Sequence, residues 1–400
     1  MLTPSTLILH NRYQQAGGED AVAWAEAALL RNHGHRVRVE TVDNAAIPAG
    51  GGGLFGKVGL AAQAIWNRRK ATRIGRLVAD EKWDIVHVRN TLPLLSPTVF
   101  RAARRTGAAT VHTLHNYRLV CPGATLFRNG AVCEQCVGHF PWAGLKHRCY
   151  QGNLGATATV AAVTATHQLL GTYQNHIDRY IALTDFSRSV LLKAGLPAQK
   201  VVVKPNFLPE APQVASAPGG YAFFAGRLSP EKGIRTLVAA WRDHNPRIPL
   251  HIAGDGPEAE VVREAAATCS EIRWLGRLPK AETAKAMASA AMVVIPSLWY
   301  EGFPLVVVEA FAMGKPIVAS NLGSLGSIIT HGETGWLFPT GDPAELASAV
   351  REAYANPARL AEVGLNARTE FNAHYSAENN YQQLVAIYGA ALETRRRWRC

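Results

Sequence analysis

Short, almost wholly apolar runs alternate with longer amphipathic stretches along this chain of 400 residues. In the first half the runs are Thr6–His10, Arg36–Val42, Ile85–Arg89, Ala109–His115, Tyr180–Thr184 and Val201–Lys204. In the second half they are Tyr221–Gly226, Leu250–Gly254, Ile272–Leu275, Met292–Pro296, Pro316–Ser320 and Trp336–Phe338. Unbroken apolar runs suit parallel strands covered on both faces. Their alternation with helices predicts βαβ units in doubly wound sheets. Leu208–Gly220 (LPEAPQVASAPGG) is rich in Pro and Gly, has no periodicity and reads as a linker. The expected architecture is therefore α/β. Two Rossmann-like domains, residues 1–207 and 221–374, flank the linker 208–220 and face a shared cleft, and residues 375–400 follow. Ligands of such sheets lie beyond the carboxyl ends of the strands. The last helix, expected over Ser376–Glu393, sets Tyr381, Leu384, Val385 and Tyr388 on one stripe that either domain could cover.

Composition narrows the class. Hydrophobic residues make up 48% and charged residues 18%, a globular balance. No apolar run is long enough to span a bilayer. The opening MLTPSTLILH has no charged leader region and reads as a first strand, which predicts a cytoplasmic location. Lys and Arg number 42 against 30 Asp and Glu, a net charge of +12 that favours anionic partners. The charge concentrates in residues 57–76 and in Arg395, Arg396, Arg397 and Arg399. Leu54–Val78 is a basic amphipathic candidate with Phe55, Val58, Ala62 and Ile65 on one face and Trp66 beside the cations. Such a helix suits peripheral contact with an anionic membrane, and a core-facing helix with a basic outer face explains it equally.

The segment Met292–Gly314 carries the sharpest chemistry. A buried strand runs into a loop and then a helix that Pro304 opens and Gly314 and Pro316 end. The helix is apolar almost all round, so its Glu309 is expected to be buried, and an unpaired buried carboxylate costs several kcal/mol by order of magnitude. Its donors are either a cation elsewhere or the vicinal hydroxyls of a ribose. Glu301 stands in the loop beside a helix N-terminus, which is a ready phosphate site. Tyr221–Gly233 offers a second element: a strand ending at Gly226, a helix starting near Ser229, and the cations Arg227 and Lys232. Arg and Lys can stabilise a departing diphosphate without a metal. His251-Ile-Ala-Gly254-Asp-Gly-Pro is a strand and tight turn that admits close backbone approach.

The E-x7-E spacing of Glu301 and Glu309 in its strand–loop–helix context, together with G-R-x-x-x-E-K-G at 226–233, resembles the family-4 retaining glycosyltransferases of the GT-B fold, in particular bacterial polysaccharide-assembly members. The resemblance implies that Glu301 contacts the donor sugar, Glu309 the ribose, and Arg227 and Lys232 the donor diphosphate. It also implies that backbone N–H groups near Phe303, Pro304 and Leu305 hold sugar or phosphate. The turns at Gly226 and Gly254 border the donor, and Leu275–Leu278 borders the base. Gly17 and Gly18 are similar to the family's N-terminal glycine loop, and His115 matches a histidine near the donor sugar or acceptor. One departure stands out: Asn321–Ser327 lacks the acid of the usual Gly-Gly-Xaa-Pro-Glu.

The implied reaction is hexosyl transfer from a nucleoside-diphosphate sugar to a glycan or lipid-linked glycan, with retention and with no cofactor required. A nucleotide-sugar epimerase or phosphorylase of the same fold is the alternative. Cys121, Cys133, Cys136 and Cys149 fall within one short segment, with His139 and His147 nearby. They are candidate ligands of a structural zinc, with reduced thiols or two disulfides as the other readings. A zinc-containing nucleic-acid binder would leave Glu309 and the Arg227/Lys232 pair unexplained, so no nucleic-acid partner is expected.

Overall fold

The computed structural model describes residues 3–12, 18–43, 53–212 and 219–397. Gly17, Gly50, Gly51 and Gly52 lie outside them, and Gly18 is the first residue of the helix Gly18–Asn32.

The chain forms two compact units. The first comprises Met1–Thr125, Glu134–Asn206 and Asn380–Cys400, and the second comprises Leu126–Cys133 and Phe207–Asn379. The first contains β1 (Thr6–Arg12), β2 (Val37–Asp43), β3 (Ile85–Val88) and β4 (Ala109–Leu114). A short hairpin, β5 (Phe127–Arg128) with β6 (Ala131–Val132), follows in the chain within the segment assigned to the second unit; no apolar run announces it. Then come β7 (Arg179–Ala182) and β8 (Val201–Val203). The second unit holds β9 (Ala222–Ala225), β10 (Leu250–Ala253), β11 (Ile272–Gly276), β12 (Met292–Ile295), β13 (Ile317–Ser320) and β14 (Gly335–Phe338).

Every predicted run became a strand. The first sheet has the order β2-β1-β3-β4-β7-β8 and the second β11-β10-β9-β12-β13-β14. All pairings within both sheets are parallel. The second sheet shows directly why its strands are apolar on both faces. Ala222, Phe224, Met292 and Val294 pack with Leu237, Trp241, Leu346 and Val350 on one side. Phe223, Val293 and Ile295 pack with Val307, Phe311 and Phe371 on the other. Its order reverses between β9 and β12, so the loops leaving those two neighbours open at the switch point, where such folds bind ligands.

The last helix runs Ala377–Arg397 and packs on the first unit. Tyr381, Leu384, Ile387, Tyr388 and Ala391 join Leu30, Ile85, Ala109 and Ile181 in one core cluster. The buried polar tips are satisfied: His35 Nε2 meets the Tyr381 hydroxyl at 3.1 Å and His87 Nδ1 the Tyr388 hydroxyl at 2.8 Å. Burial, with Lys204 and His112 adding to it, lowers His87 to about 3, so His87 is neutral.

One helix expectation needs correction. Leu54–Val78 is not one helix but two, Gly53–Ile65 and Arg68–Glu81. Asn67 ends the continuity because its side chain accepts from the Lys70 N–H and caps the second helix, an N-terminal signal hidden inside an amphipathic pattern. Val58 is 60% exposed rather than core-facing, and the second helix buries Ile74 and Val78 instead. The helix start near Ser229 needs only its type refined: Ser229 is the N-cap of a 3-10 turn, Pro230–Lys232, and the α-helix starts at Ile234. Leu384 is fully buried, so Leu384→Ala is expected to cost about 2–5 kcal/mol. Denaturant unfolding followed by a probe in the first sheet checks this.

Candidate functional site

The second unit's site starts from a backbone contact. Gly233 closes the 3-10 turn at φ +72°, and a Cβ there would lie 1.9 Å from the Pro296 carbonyl oxygen. Only glycine lets the loop after β9 rest on the end of β12. The Leu298 N–H donates to the Glu231 carbonyl at 2.9 Å and ties the two loops again. Gly254 plays the same part on the other side, since its Cβ would stand 1.9 Å from the Gly226 carbonyl oxygen.

This packing brings Lys232 and Glu301 together. Lys232 Nζ donates to Glu301 Oε1 at 2.7 Å, and Ser297 Oγ donates to the same oxygen at 2.7 Å. Lys232 also lies over the Trp299 ring at 5.5 Å. Burial alone would raise the Glu301 carboxyl, but the Lys232 charge and contacts from Lys232, Ser297 and Trp299 outweigh it and hold the pKa below the ordinary value. Glu301 is therefore a fixed anion. Arg227, just past β9, is exposed.

Glu309 corrects an expectation. It sits on the helix Leu305–Ala312 but is half-buried, whereas Glu301 in the loop is 4% exposed. The helix covers β12 and β13 through Val307, Val308 and Phe311, and Glu309 falls outside that contact face. Among the described residues its carboxylate makes no hydrogen bond or ion pair. Burial raises its pKa, against a pull from Lys280. The helix has Pro304 at its N-cap with no side-chain acceptor, so its first N–H groups are not capped from within. Phe303 packs toward Tyr375, ring centroids 6.0 Å apart, and Leu305 is half-buried.

In the first unit, His115 follows β4 and is half-buried. Burial, then the charges of Arg89, His10, His87 and Lys204, hold its pKa well below the ordinary value. Its Nε2 lies 3.4 Å from Arg89 Nη1, a donor that requires the neutral ring to accept there. Arg89 pairs with Glu26, and Lys204 Nζ donates to the other Glu26 oxygen at 2.6 Å. Sequence reasoning missed this triad and missed Ser297, Trp299 and Gly233. One signal was available: Glu26 is the lone charge in the apolar stretch Ala21–Leu30.

Of the four clustered cysteines, Cys121, Cys133 and Cys149 are half-buried and Cys136 is buried. Among the described residues no group of three or more His, Cys, Asp or Glu side chains converges as a zinc centre requires.

Comparison with known proteins bears on these positions. Residues 220–356 match the profile of "glycosyl transferases group 1", and residues 17–206 match that of the "glycosyl transferase 4-like domain". The chain belongs to the family-4 glycosyltransferases. It is 34% identical over 205 residues to a phosphatidyl-myo-inositol mannosyltransferase of Mycobacterium leprae, covering 48% of this chain and 55% of that one. It is 33% identical over 174 residues to a glycogen synthase of Mycobacterium tuberculosis, covering 42% of each. The chain thus spans about half the length of these curated relatives. A phosphatidyl-myo-inositol mannosyltransferase of Mycobacterium tuberculosis aligns over 83% of this chain and 81% of its own at 26% identity. Among solved structures, Anabaena HepE in complex with UDP superposes with a TM-score of 0.68 at 18% identity, covering 96% of this chain and 100% of that one. A glycosyltransferase of Rickettsia africae gives 0.68 at 15% identity, covering 98% and 99%. These show the GT-B fold. No described helix is long and apolar enough to cross a membrane.

The Lys232–Glu301 pair has a signed pH dependence. The folded pKa of Glu301 is depressed, so its stabilisation is present above the ordinary carboxylate range and is lost as pH falls through the folded value. Lys232→Ala is expected to lower stability at neutral pH by about 1–3 kcal/mol. The gap to the wild type should narrow in acid, as measured by thermal unfolding across pH.

Proposed function

We propose that this chain is a retaining glycosyltransferase that moves a sugar from a nucleoside-diphosphate donor to a hydroxyl of a glycan or lipid-linked glycan in cell-surface polysaccharide assembly. The observation that carries the reading is the coupling of Lys232 to Glu301 at the switch point of the second sheet, within the family's motif. A diphosphate leaving group needs cations placed before bond cleavage, because preorganised charge costs no reorganisation in the transition state. Lys232 is already half-buried and oriented, and Arg227 is exposed beside the same loop.

When a donor enters, Lys232 turns to the diphosphate, and Glu301 keeps Ser297 as a donor while it accepts a hydroxyl of the sugar. Glu309 takes the ribose hydroxyls, and the N–H groups at Leu305 face the phosphates. Retention follows from attack on the face from which the diphosphate leaves, with a departing phosphate oxygen accepting the acceptor's proton. His115, neutral, offers a hydrogen bond to the sugar rather than a charge. The Anabaena structure holds UDP, and the two mycobacterial mannosyltransferases are named for phosphatidyl-myo-inositol, which supports a nucleotide donor and a lipid-linked acceptor.

The test is a thermal-shift screen of UDP-, GDP- and ADP-sugars followed by NMR of the product anomer. Stabilisation by one donor and retained configuration are expected; an inverted product or no donor binding would overturn the reading. Lys232→Ala and Arg227→Ala should each lower kcat by roughly 10²-fold or more.

Glu309→Gln separates binding from structure. Its raised pKa means that ionising it costs folding free energy at neutral pH, so the amide should leave stability unchanged or higher while weakening nucleotide binding. Calorimetric titration of the donor nucleotide alongside thermal unfolding checks both halves.

A further inference from the structure

A second feature of the first unit lies outside the donor site. The helices Arg68–Glu81 and Thr98–Arg105 pack together and leave a groove of about 530 Å³. Arg68, Arg76, Arg101 and Arg105 line it with Trp66, and no acidic residue does. Arg68, Arg76 and Arg105 are exposed, and among the described residues none of the four arginines is ion-paired. Arg104, the neighbour that points inward, is the one paired with an acid, to Asp178 at 2.5 Å. Four unpaired guanidinium groups around one groove repel one another unless an anion joins them. Their field is felt nearby: burial first, then Arg101, Arg104 and Arg105, lower His176 to about 4.

The rim is apolar where a soluble phosphate would need nothing. Arg101 donates to the Leu170 carbonyl at 3.2 Å, which places the C-terminal end of the helix Leu154–Leu169 at the groove. Leu169 is 88% exposed, Leu170 46% and Trp66 43%. Trp66 is held by stacking on His167, centroids 5.6 Å apart and planes at 2°. Exposed leucines beside unpaired arginines match a surface that meets charge and hydrocarbon together. Nucleic acid would use the indole face for a base, but His167 already covers one side of it.

We propose that this groove docks anionic phospholipid headgroups, with the four arginines on the phosphates and Trp66, Leu169 and Leu170 entering the boundary with the acyl chains. The site differs from the amphipathic stretch read in the sequence, because half of it comes from Thr98–Arg105 and from Leu169–Leu170. Membrane docking is what the lipid-linked acceptor proposed above requires. It is measured without sugar transfer, so the two readings can fail separately.

The experiment is sedimentation of the full chain with vesicles of phosphatidylglycerol and phosphatidylcholine in equal parts, against phosphatidylcholine alone. Binding to the anionic vesicles that weakens with salt is expected. The double variant Arg76→Glu/Arg105→Glu should weaken it roughly tenfold or more. Leu169→Asp/Leu170→Asp should weaken it at high salt as well, and Arg247→Glu, in the second unit, should not. All the substituted side chains are exposed, so a thermal melt equal to the wild type is the check on folding. Equal binding to both vesicle types, groove variants that bind like the wild type, or full competition by inorganic phosphate or RNA would each overturn the proposal.

Discussion

The approach of Gly233 to the end of β12 sets the geometry of the Lys232–Glu301 pair. β9 and β12 are neighbours in space but lie on either side of two intervening βα units in sequence. Their loops must meet without room for a side chain, and the carbonyl of Pro296 occupies the place a Cβ would take. Once the turn Pro230–Lys232 is pressed there, Lys232 has little choice but to lie along the β12 loop. A carboxylate as buried as Glu301 would cost several kcal/mol if left alone. The ammonium group and the Ser297 hydroxyl offset that cost, and the pair in turn orients the loop that leads to Pro304.

Most of the fold was legible because parallel strands covered on both faces cannot avoid being apolar runs. The twelve strands of the two sheets fall within a residue or two of the runs in the sequence. What stayed hidden had a different physical origin. The break at Asn67 lies inside a continuous amphipathic pattern and depends on one side-chain oxygen reaching one N–H. The hairpin Phe127–Val132 has strands of two residues each, too short for alternation to register. The surface that receives the last helix could not be chosen from its stripe, since both units expose helices to pack on; the partners His35 and His87 lie more than 300 residues away in the chain.

The site was legible in its motifs and less so in its energetics. A lone carboxylate on an apolar helix signals a buried charge that needs cations, and that reasoning was applied to Glu309. It describes Glu26 instead. Glu26 is fully buried between Arg89 and Lys204, whose side chains come from the ends of β3 and β8. Lys204 is 178 residues from its partner, a separation that no local pattern reveals. In the helix carrying Glu309, Val307, Val308, Ala310, Phe311 and Ala312 are buried, whereas Leu305, Val306 and Glu309 are half-buried.

Two carboxylates whose pKa values move in opposite directions usually suggest an acid and a base. The causes argue otherwise here. Glu301 is lowered by groups that already occupy its oxygen, so it can neither donate a proton nor attack readily at neutral pH. Glu309 is raised by burial, with no hydrogen bond to the protonated form that would keep a proton on it. Hydroxyl donors arriving at Glu309 favour its charged form and pull the pKa back down, the reverse of what a general acid must do on binding its substrate. In the proposed reaction a half-buried acceptor that lacks donors until a ligand brings them serves recognition. The proton of the reaction must then be taken by a group other than these two, which is why the proposed transfer assigns it to the leaving phosphate.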